Sequence, residues 1–198
     1  MKSIDALVEK ALEFKRNGLS ESEISHELHL SVDTVSWLLT RNVKVEKPPI
    51  DVKVGWRSIG VYGGRIGLIA GLFSDVILEE MEKQEIEKVD CVVGIAINGI
   101  PFATMVAEDL GLELGIYRPP VTDEGKGTFS SNYATLEGKD VVIVDDVIST
   151  GHVMKCAIAD LKEQGANPLL SVVIVNKTPM YEMDGVPTRS LIRARTIA

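Results

Sequence analysis

Asp140-Val141-Val142-Ile143-Val144-Asp145-Asp146-Val147-Ile148-Ser149-Thr150-Gly151 reads as a buried strand, an acid pair and a turn into a helix. Asp140 to Val144 is the most apolar strand of the chain, and His152 to Gln164 is the helix after it. The same order repeats around it. Upstream, Val89 to Ile95 is a strand, Pro101 to Leu110 a helix with proline near its first turn, and Leu114 to Tyr117 a strand. Downstream, Leu169 to Val175 is another strand. Near-continuous Val/Ile runs are strands buried on both faces, as in a parallel sheet covered by helices. The expected fold class is therefore α/β. Ligands of such sheets bind at the carboxyl ends of the strands, and the unusual residues of this sequence lie there.

Two adjacent carboxylates leaving an apolar strand are costly unless something polar meets them. Asp145 and Asp146 can accept hydrogen bonds from a ribose diol, directly or through hydrated Mg²⁺. Ser149, Thr150, Gly151 and His152 stand at a helix start, where free N–H groups and hydroxyls can cradle a phosphate. A capped loop with solvated acids is the bland alternative. A strand, an acid pair and a Ser-Thr-Gly turn in one run favour a ligand.

Residues 1–41 have a different character, with helical periodicity and no proline. Ile4, Leu7, Val8, Ala11, Leu12 and Phe14 give a first helix, over 4–17, an apolar face. Gly18 suits its end. Ser20, with Glu23 three residues on, forms a capping box for a second helix reaching about Leu28. Ser31 opens a third helix ending near Thr40. The turn His29-Leu30-Ser31 joins the last two as a helix-turn-helix. Ile24, Leu28, Leu30, Val35 and Leu38 fall at its buried contacts, and Ser25 is small at the crossing. His29 departs from the pattern, since glycine would ease the turn.

Thr34, Ser36 and Trp37 are expected to face outward on the third helix. With Val32 and Asp33 they are the candidates to read base edges of double-stranded DNA. Arg41, Lys44 and Lys47 follow as phosphate anchors. A plain three-helix unit serving assembly is the alternative, and charge speaks for it: residues 1–50 hold seven Lys/Arg against eight Asp/Glu. The Pro48-Pro49 pair ends any helix, dividing the chain into a head, 1–50, and a larger domain, 51–198. Alternating Val and Lys within 42–54 could form a wing.

The whole chain carries 21 Lys/Arg against 29 Asp/Glu, a net charge of -8. That excludes a surface uniformly basic for nucleic acid but leaves room for a small reading head. Cys91 and Cys156 match neither a metal-ligand spacing nor a disulfide framework. No apolar run approaches the roughly 20 residues of a membrane span. Met1 to Asp5 carries an acid too early for a signal peptide. A cytoplasmic protein without a membrane partner is expected.

The run from Asp140 to Gly151 resembles the phosphoribosyl pyrophosphate (PRPP) motif of the type I phosphoribosyltransferases. Val93-Gly94-Ile95-Ala96-Ile97-Asn98-Gly99-Ile100-Pro101 resembles that family's pyrophosphate loop. The orotate branch is nearest, through Gly99-Ile100-Pro101-Phe102-Ala103 and Tyr117-Arg118. The resemblance spans residues 55–180 and implies the type I phosphoribosyltransferase fold. It implies PRPP or a nucleotide held by Asp145, Asp146, Val147, Ile148, Ser149, Thr150, Gly151 and His152, with Ile97, Asn98, Gly99 and Arg118. It also implies Mg²⁺ at Asp145 and Asp146, a closing loop over Pro119 to Ser131, and pairing into a homodimer.

The departures bear on activity. Orotate enzymes follow the arginine of this loop with lysine and further basic residues, whereas here Pro119 follows Arg118 and Asp123 and Glu124 have entered. Stabilising a developing polyanion is usually the largest catalytic contribution, so the loop is poorly built for turnover, with Lys126 the one base that could compensate. Lys177 stands where an arginine would grip the orotate carboxylate, and His152 replaces a small hydroxyl residue. The chain as a whole is similar to archaeal regulators that join a helix-turn-helix to a phosphoribosyltransferase-like domain, and distantly to bacterial purine repressors. The expected function is transcription regulation, of sugar or nucleotide metabolism, sensing PRPP or a related metabolite. An active orotate or purine phosphoribosyltransferase is the alternative.

Overall fold

The computed structural model describes residues 4–40, 49–121 and 125–195. The head is three helices: α1 (Ile4–Arg16), α2 (Glu21–Leu28) and α3 (Val32–Thr40). The capping box forms as the sequence predicts. Ser20 Oγ accepts the Glu23 N–H at 3.2 Å, and the Glu23 carboxylate accepts the Ser20 N–H at 2.8 Å. At the other end of α2, His29 is left-handed (φ 53°), the Leu30 N–H donates to Ser25 O, and the His29 N–H donates to His26 O. This Schellman closure turns the chain into α3. Ser25 Oγ donates to Leu30 O at 2.8 Å, which explains a small hydroxyl residue there.

Val8, Ala11, Ile24, Leu28, Leu30, Val35 and Leu38 form the head's core. The apolar face read for α1 is narrower than expected: Ile4 and Leu12 are exposed, and Val8 and Ala11 point inward. Thr34 corrects a second expectation. It is buried, with its hydroxyl spent on Ser31 Oγ at 2.8 Å and Asp51 Oδ2 at 3.0 Å.

The larger domain runs α4 (Arg57–Gly60), α5 (Gly63–Lys83), β1 (Cys91–Ile95), α6 (Gly99–Leu110), β2 (Glu113–Arg118), β3 (Thr128–Phe129), β4 (Asp140–Ile148), α7 (His152–Glu163), β5 (Asn167–Asn176), β6 (Glu182–Met183) and β7 (Val186–Arg193). The strands form one sheet ordered β3-β2-β1-β4-β5-β7-β6, parallel from β2 to β7 with an antiparallel strand at each edge. Alternation along the strands fills both faces. Val92, Val142, Val144 and Val172 pack with Phe73, Ile77 and Phe102 of α5 and α6. Cys91, Val93, Val141, Ile143 and Val173 pack with Met154, Ile158 and Leu161 of α7. Each such large side chain contributes about 1.5–3 kcal/mol on burial.

Two elements differ from the sequence reading. Strand β4 does not end at Val144 but runs to Ile148, because β5 continues beside it and pairs Asp145 with Val173. The acid pair thus lies inside the sheet. The segment read as a loop from Pro119 to Ser131 contains β3, whose Thr128 and Phe129 pair with Arg118 and Tyr117. Of the stretch considered for a wing, residues 41–48 lie outside the described residues, and Pro49 to Val54 forms no strand. Among the described residues no helix is long and apolar enough to cross a membrane.

Candidate functional site

The carboxyl ends of β1, β2 and β4 meet beneath the head. Gly99, at the start of α6, lies so close to β4 that a Cβ there would stand 2.4 Å from Val144 O and 3.1 Å from Asp145 Cα. Only glycine permits that approach. Gly151 supplies the left-handed turn (φ 89°) that lets β4 pass through Ser149 and Thr150 into α7. The His152 N–H donates to Thr150 Oγ1 at 3.3 Å.

Asp145 and Asp146 are both buried, at 3% and 0% exposure. Local backbone satisfies one oxygen of each: the Asp146 N–H donates to Asp145 Oδ1 and the Val147 N–H to Asp146 Oδ1, both at 2.8 Å. The remaining oxygens are met from outside the sheet. Trp56, packed edge-on against Phe102, donates from Nε1 to Asp146 Oδ2 at 2.6 Å. The head supplies the rest: His29 Nε2 lies 3.3 Å from Asp146 Oδ2, and His26 Nε2 lies 3.6 Å from Asp145 Oδ2.

These contacts set the protonation of the group. Burial, then the neighbouring Asp145 charge, pushes the Asp146 carboxyl up from the ordinary range. Burial opposes a charge on His26, but the Asp145 carboxylate outweighs it and raises the imidazole to about 9. Burial dominates at His29 and lowers it to about 4, Asp146 only partly opposing. The surroundings thus favour the charged form of His26 and the neutral form of His29.

The turn of the head is clamped from both sides. Lys177 Nζ donates to His29 O at 2.9 Å and to Asp51 Oδ1 at 2.6 Å, and Lys53 Nζ donates to Leu28 O. Two ammonium groups thus meet the orphan carbonyls at the end of α2. Asp51 Oδ2 accepts the Ser31 N–H at 2.7 Å at the start of α3. Cations at a helix C-terminus and an anion at an N-terminus match both helix dipoles.

A cavity of about 280 Å³ lies between head and sheet, lined by Ser22, His26, His29, Val32, Asp145 and the run Val147 to Met154, with Ser25. A second, about 660 Å³, adjoins it at Ser22, His26 and Val153 and reaches Ile97, Arg118, Pro119 and Tyr133. The sequence-read residues therefore divide. Asp145, Val147, Ile148, Ser149, Thr150, Gly151 and His152 share the first cavity, although Val147 and Ile148 are core residues. Ile97 and Arg118 line the second. Asn98 and Gly99 shape the loop between, and Asp146 sits behind Trp56 and His29. Lys126 is engaged with Glu163, and Lys177 with Asp51 and with the His29 carbonyl of the head.

On α3, Val32 and Asp33 are exposed, Ser36 and Trp37 half-buried and Thr34 buried. Trp37 leans on the head's core. Arg41, Lys44 and Lys47 lie outside the described residues. The sequence reading missed His26, Trp56 and Asp51 and saw His29 only as an oddity of the turn. A His-x-x-His spacing facing an acid pair was the available signal, but nothing in the sequence put the two together.

The description "Phosphoribosyl transferase domain" matches residues 67–190. The chain is 52% identical over 198 residues to the transcriptional regulator GfcR of Thermoplasma acidophilum, covering 100% of this chain and 98% of that protein. It is 47% identical over 193 residues to the regulator of the same name from Picrophilus torridus, covering 98% of each. Two solved structures share the fold at low identity. Adenine phosphoribosyltransferase of Saccharomyces cerevisiae matches with a TM-score of 0.56 at 22% identity, covering 74% of this chain and 89% of that one. Orotate phosphoribosyltransferase of Mycobacterium tuberculosis, solved with PRPP, matches at 0.54 and 18%, covering 71% and 80%. With relatives this similar along its full length, the chain belongs to the archaeal GfcR transcriptional regulators, a family built on the phosphoribosyl transferase domain.

Proposed function

We propose that this regulator binds double-stranded DNA through its head and senses PRPP or a related phosphoribosyl metabolite at the end of β4. The observation that carries the reading is the joining of a capped helix-turn-helix to a strand that ends in two buried acids and a Ser-Thr-Gly turn. We place the division between residues 50 and 51, a reading that the separate cores of head and sheet support. Ser149, Thr150, Gly151 and His152 take the phosphate, Ile97, Asn98, Gly99 and Arg118 the pyrophosphate, and Asp145 and Asp146 the ribose diol. Asp145 and Asp146, beside His26, each bring a carboxylate oxygen into a group whose ligand atoms lie within 4.8 Å of one another. Hard oxygen donors of this kind fit Mg²⁺, which would offset the charge of the bound pyrophosphate.

Val32, Asp33, Ser36 and Trp37 are the base-reading candidates on α3, and Arg41, Lys44 and Lys47 the phosphate anchors. Two heads are needed to read successive major grooves about 34–36 Å apart. A homodimer is supported by α5, where Leu68 is 74% exposed and Leu72, one turn on, 50%. Gel shift on the region upstream of its own gene, with and without PRPP and Mg²⁺, tests the reading. No sequence-selective shift at low salt would reduce the head to an assembly element.

A further inference from the structure

We infer that the acid pair is a latch for the head: the imidazoles of His26 and His29 lie against the oxygens of Asp145 and Asp146 that an effector would need, so occupation of those acids releases the head, and the released head is the DNA-binding form. The latch rests on the effector reading for its natural trigger but on geometry for its existence. Asp145 Oδ2 faces His26 at 3.6 Å and Asp146 Oδ2 faces His29 at 3.3 Å. Each acid's other oxygen is already taken by a backbone N–H. A diol or a cation reaching these acids therefore meets His26 at Asp145, and at Asp146 it meets His29 together with Trp56, whose Nε1–H donates to the same oxygen at 2.6 Å from outside the head.

The docked head also brings the start of its third helix beside the effector cavity. Recognition helices read base edges with their N-terminal residues. Val32, the first residue of α3, lines the same cavity as Ser149, Thr150, Gly151 and His152, while Val32 and Asp33 both keep an exposed face. Among the described residues the apolar cluster around Ile24 is separate from those of the sheet. The hydrogen bonds and ion contacts described across the junction are made by His26, His29, Lys177, Lys53 and Asp51. It can open without unpacking either part. The contact further accounts for the residue at the tightest point of the turn. His29 occupies a left-handed position that glycine would fill at lower cost, and only a side chain there reaches Asp146.

The chain has three histidines, so ¹³C-labelled imidazole resonances of the full-length protein report the latch directly, with His26→Gln and His29→Gln assigning the lines. PRPP with Mg²⁺ is expected to move both lines to the positions of exposed histidines and to raise affinity for duplex DNA about tenfold, within the usual range of allosteric coupling. A His26→Ala, His29→Ala chain should bind DNA without ligand as tightly as the wild type does with it. Lys177→Ala, which loosens the same junction from the sheet side, should gain affinity in the same direction. PRPP that binds by calorimetry while both lines stay in place overturns the latch, as does failure of both variants to gain DNA affinity. If PRPP does not bind but both variants gain, the latch stands and PRPP is rejected as the effector.

Discussion

Lys177, just beyond the end of β5, donates from its ammonium group to the backbone carbonyl of His29 at 2.9 Å, across 148 positions of sequence. The side chain is only 7% exposed and also meets Asp51 at 2.6 Å. It joins the turn of the helix-turn-helix to the sheet of the phosphoribosyl transferase domain. Lys177→Ala leaves a helix-end carbonyl and a carboxylate without their shared cation. Charge-assisted hydrogen bonds are worth about 1.5–3 kcal/mol each, so urea unfolding followed through tryptophan fluorescence should show a loss of that order. A loss below about 0.5 kcal/mol, the scale of ordinary surface substitutions, would count against the clamp.

Asp51 gives the junction a pH dependence. Burial alone would raise its carboxyl, but the Lys177 ammonium and the Ser31 and Thr34 donors outweigh burial and hold it below the usual carboxylate range. A carboxyl depressed in the folded state contributes stability above its unfolded value, about 3.9, and loses it as pH falls through the lowered folded value. The stability difference between wild type and Asp51→Asn should therefore be flat from about pH 7 to 5 and shrink below about pH 4. A difference that grows on acidification contradicts the assignment.

Thr34 and Ser36 should part company. Thr34 is buried and bonded to Ser31 and Asp51, so Thr34→Ala is expected to cost about 1 kcal/mol of stability, as loss of a cap does. Ser36 is half-buried on α3, so Ser36→Ala should leave the melting temperature in place and change operator selectivity. Thermal melts paired with gel shifts separate the two.

Gly99→Ala places a methyl group 2.4 Å from Val144 O and 3.2 Å from Asp145 Oδ1. Overpacking of this kind costs about 1–3 kcal/mol. It should also displace the acid pair, so the variant should melt earlier and lose PRPP affinity together. A variant that melts normally and binds normally shows that α6 can move away from β4 freely.

Phosphoribosyl transfer should be weak or absent. By the resemblance to the orotate enzymes Pro119 takes the place of a lysine, the loop adds the acids Asp123 and Glu124, and Lys126 pairs with Glu163 at the surface. Steady-state release of pyrophosphate from PRPP, with orotate and a panel of purine bases, should stay under the ordinary enzyme range of about 1–1000 per second. Turnover within that range would make the chain an enzyme as well as a regulator.

The local signals were legible from residues close together in the chain. The Val/Ile run of β4, the Ser20–Glu23 capping box and the Ser-Thr-Gly turn each declare themselves within a dozen positions, because periodicity, capping and turn chemistry are local. Those features were enough for the α/β class, the helix-turn-helix and the position of the acid pair. The end of β4 was not legible, since only pairing with the longer β5 carries the strand past two carboxylates that alone would end it. Nor was the burial of Thr34, which depends on Asp51 arriving from the linker. Tertiary structure alone decided what meets the acids. His26, His29 and Trp56 come from 90 to 120 positions away in sequence, and a buried carboxylate takes its partner from whatever the fold brings within about 3 Å, not from its neighbours along the chain.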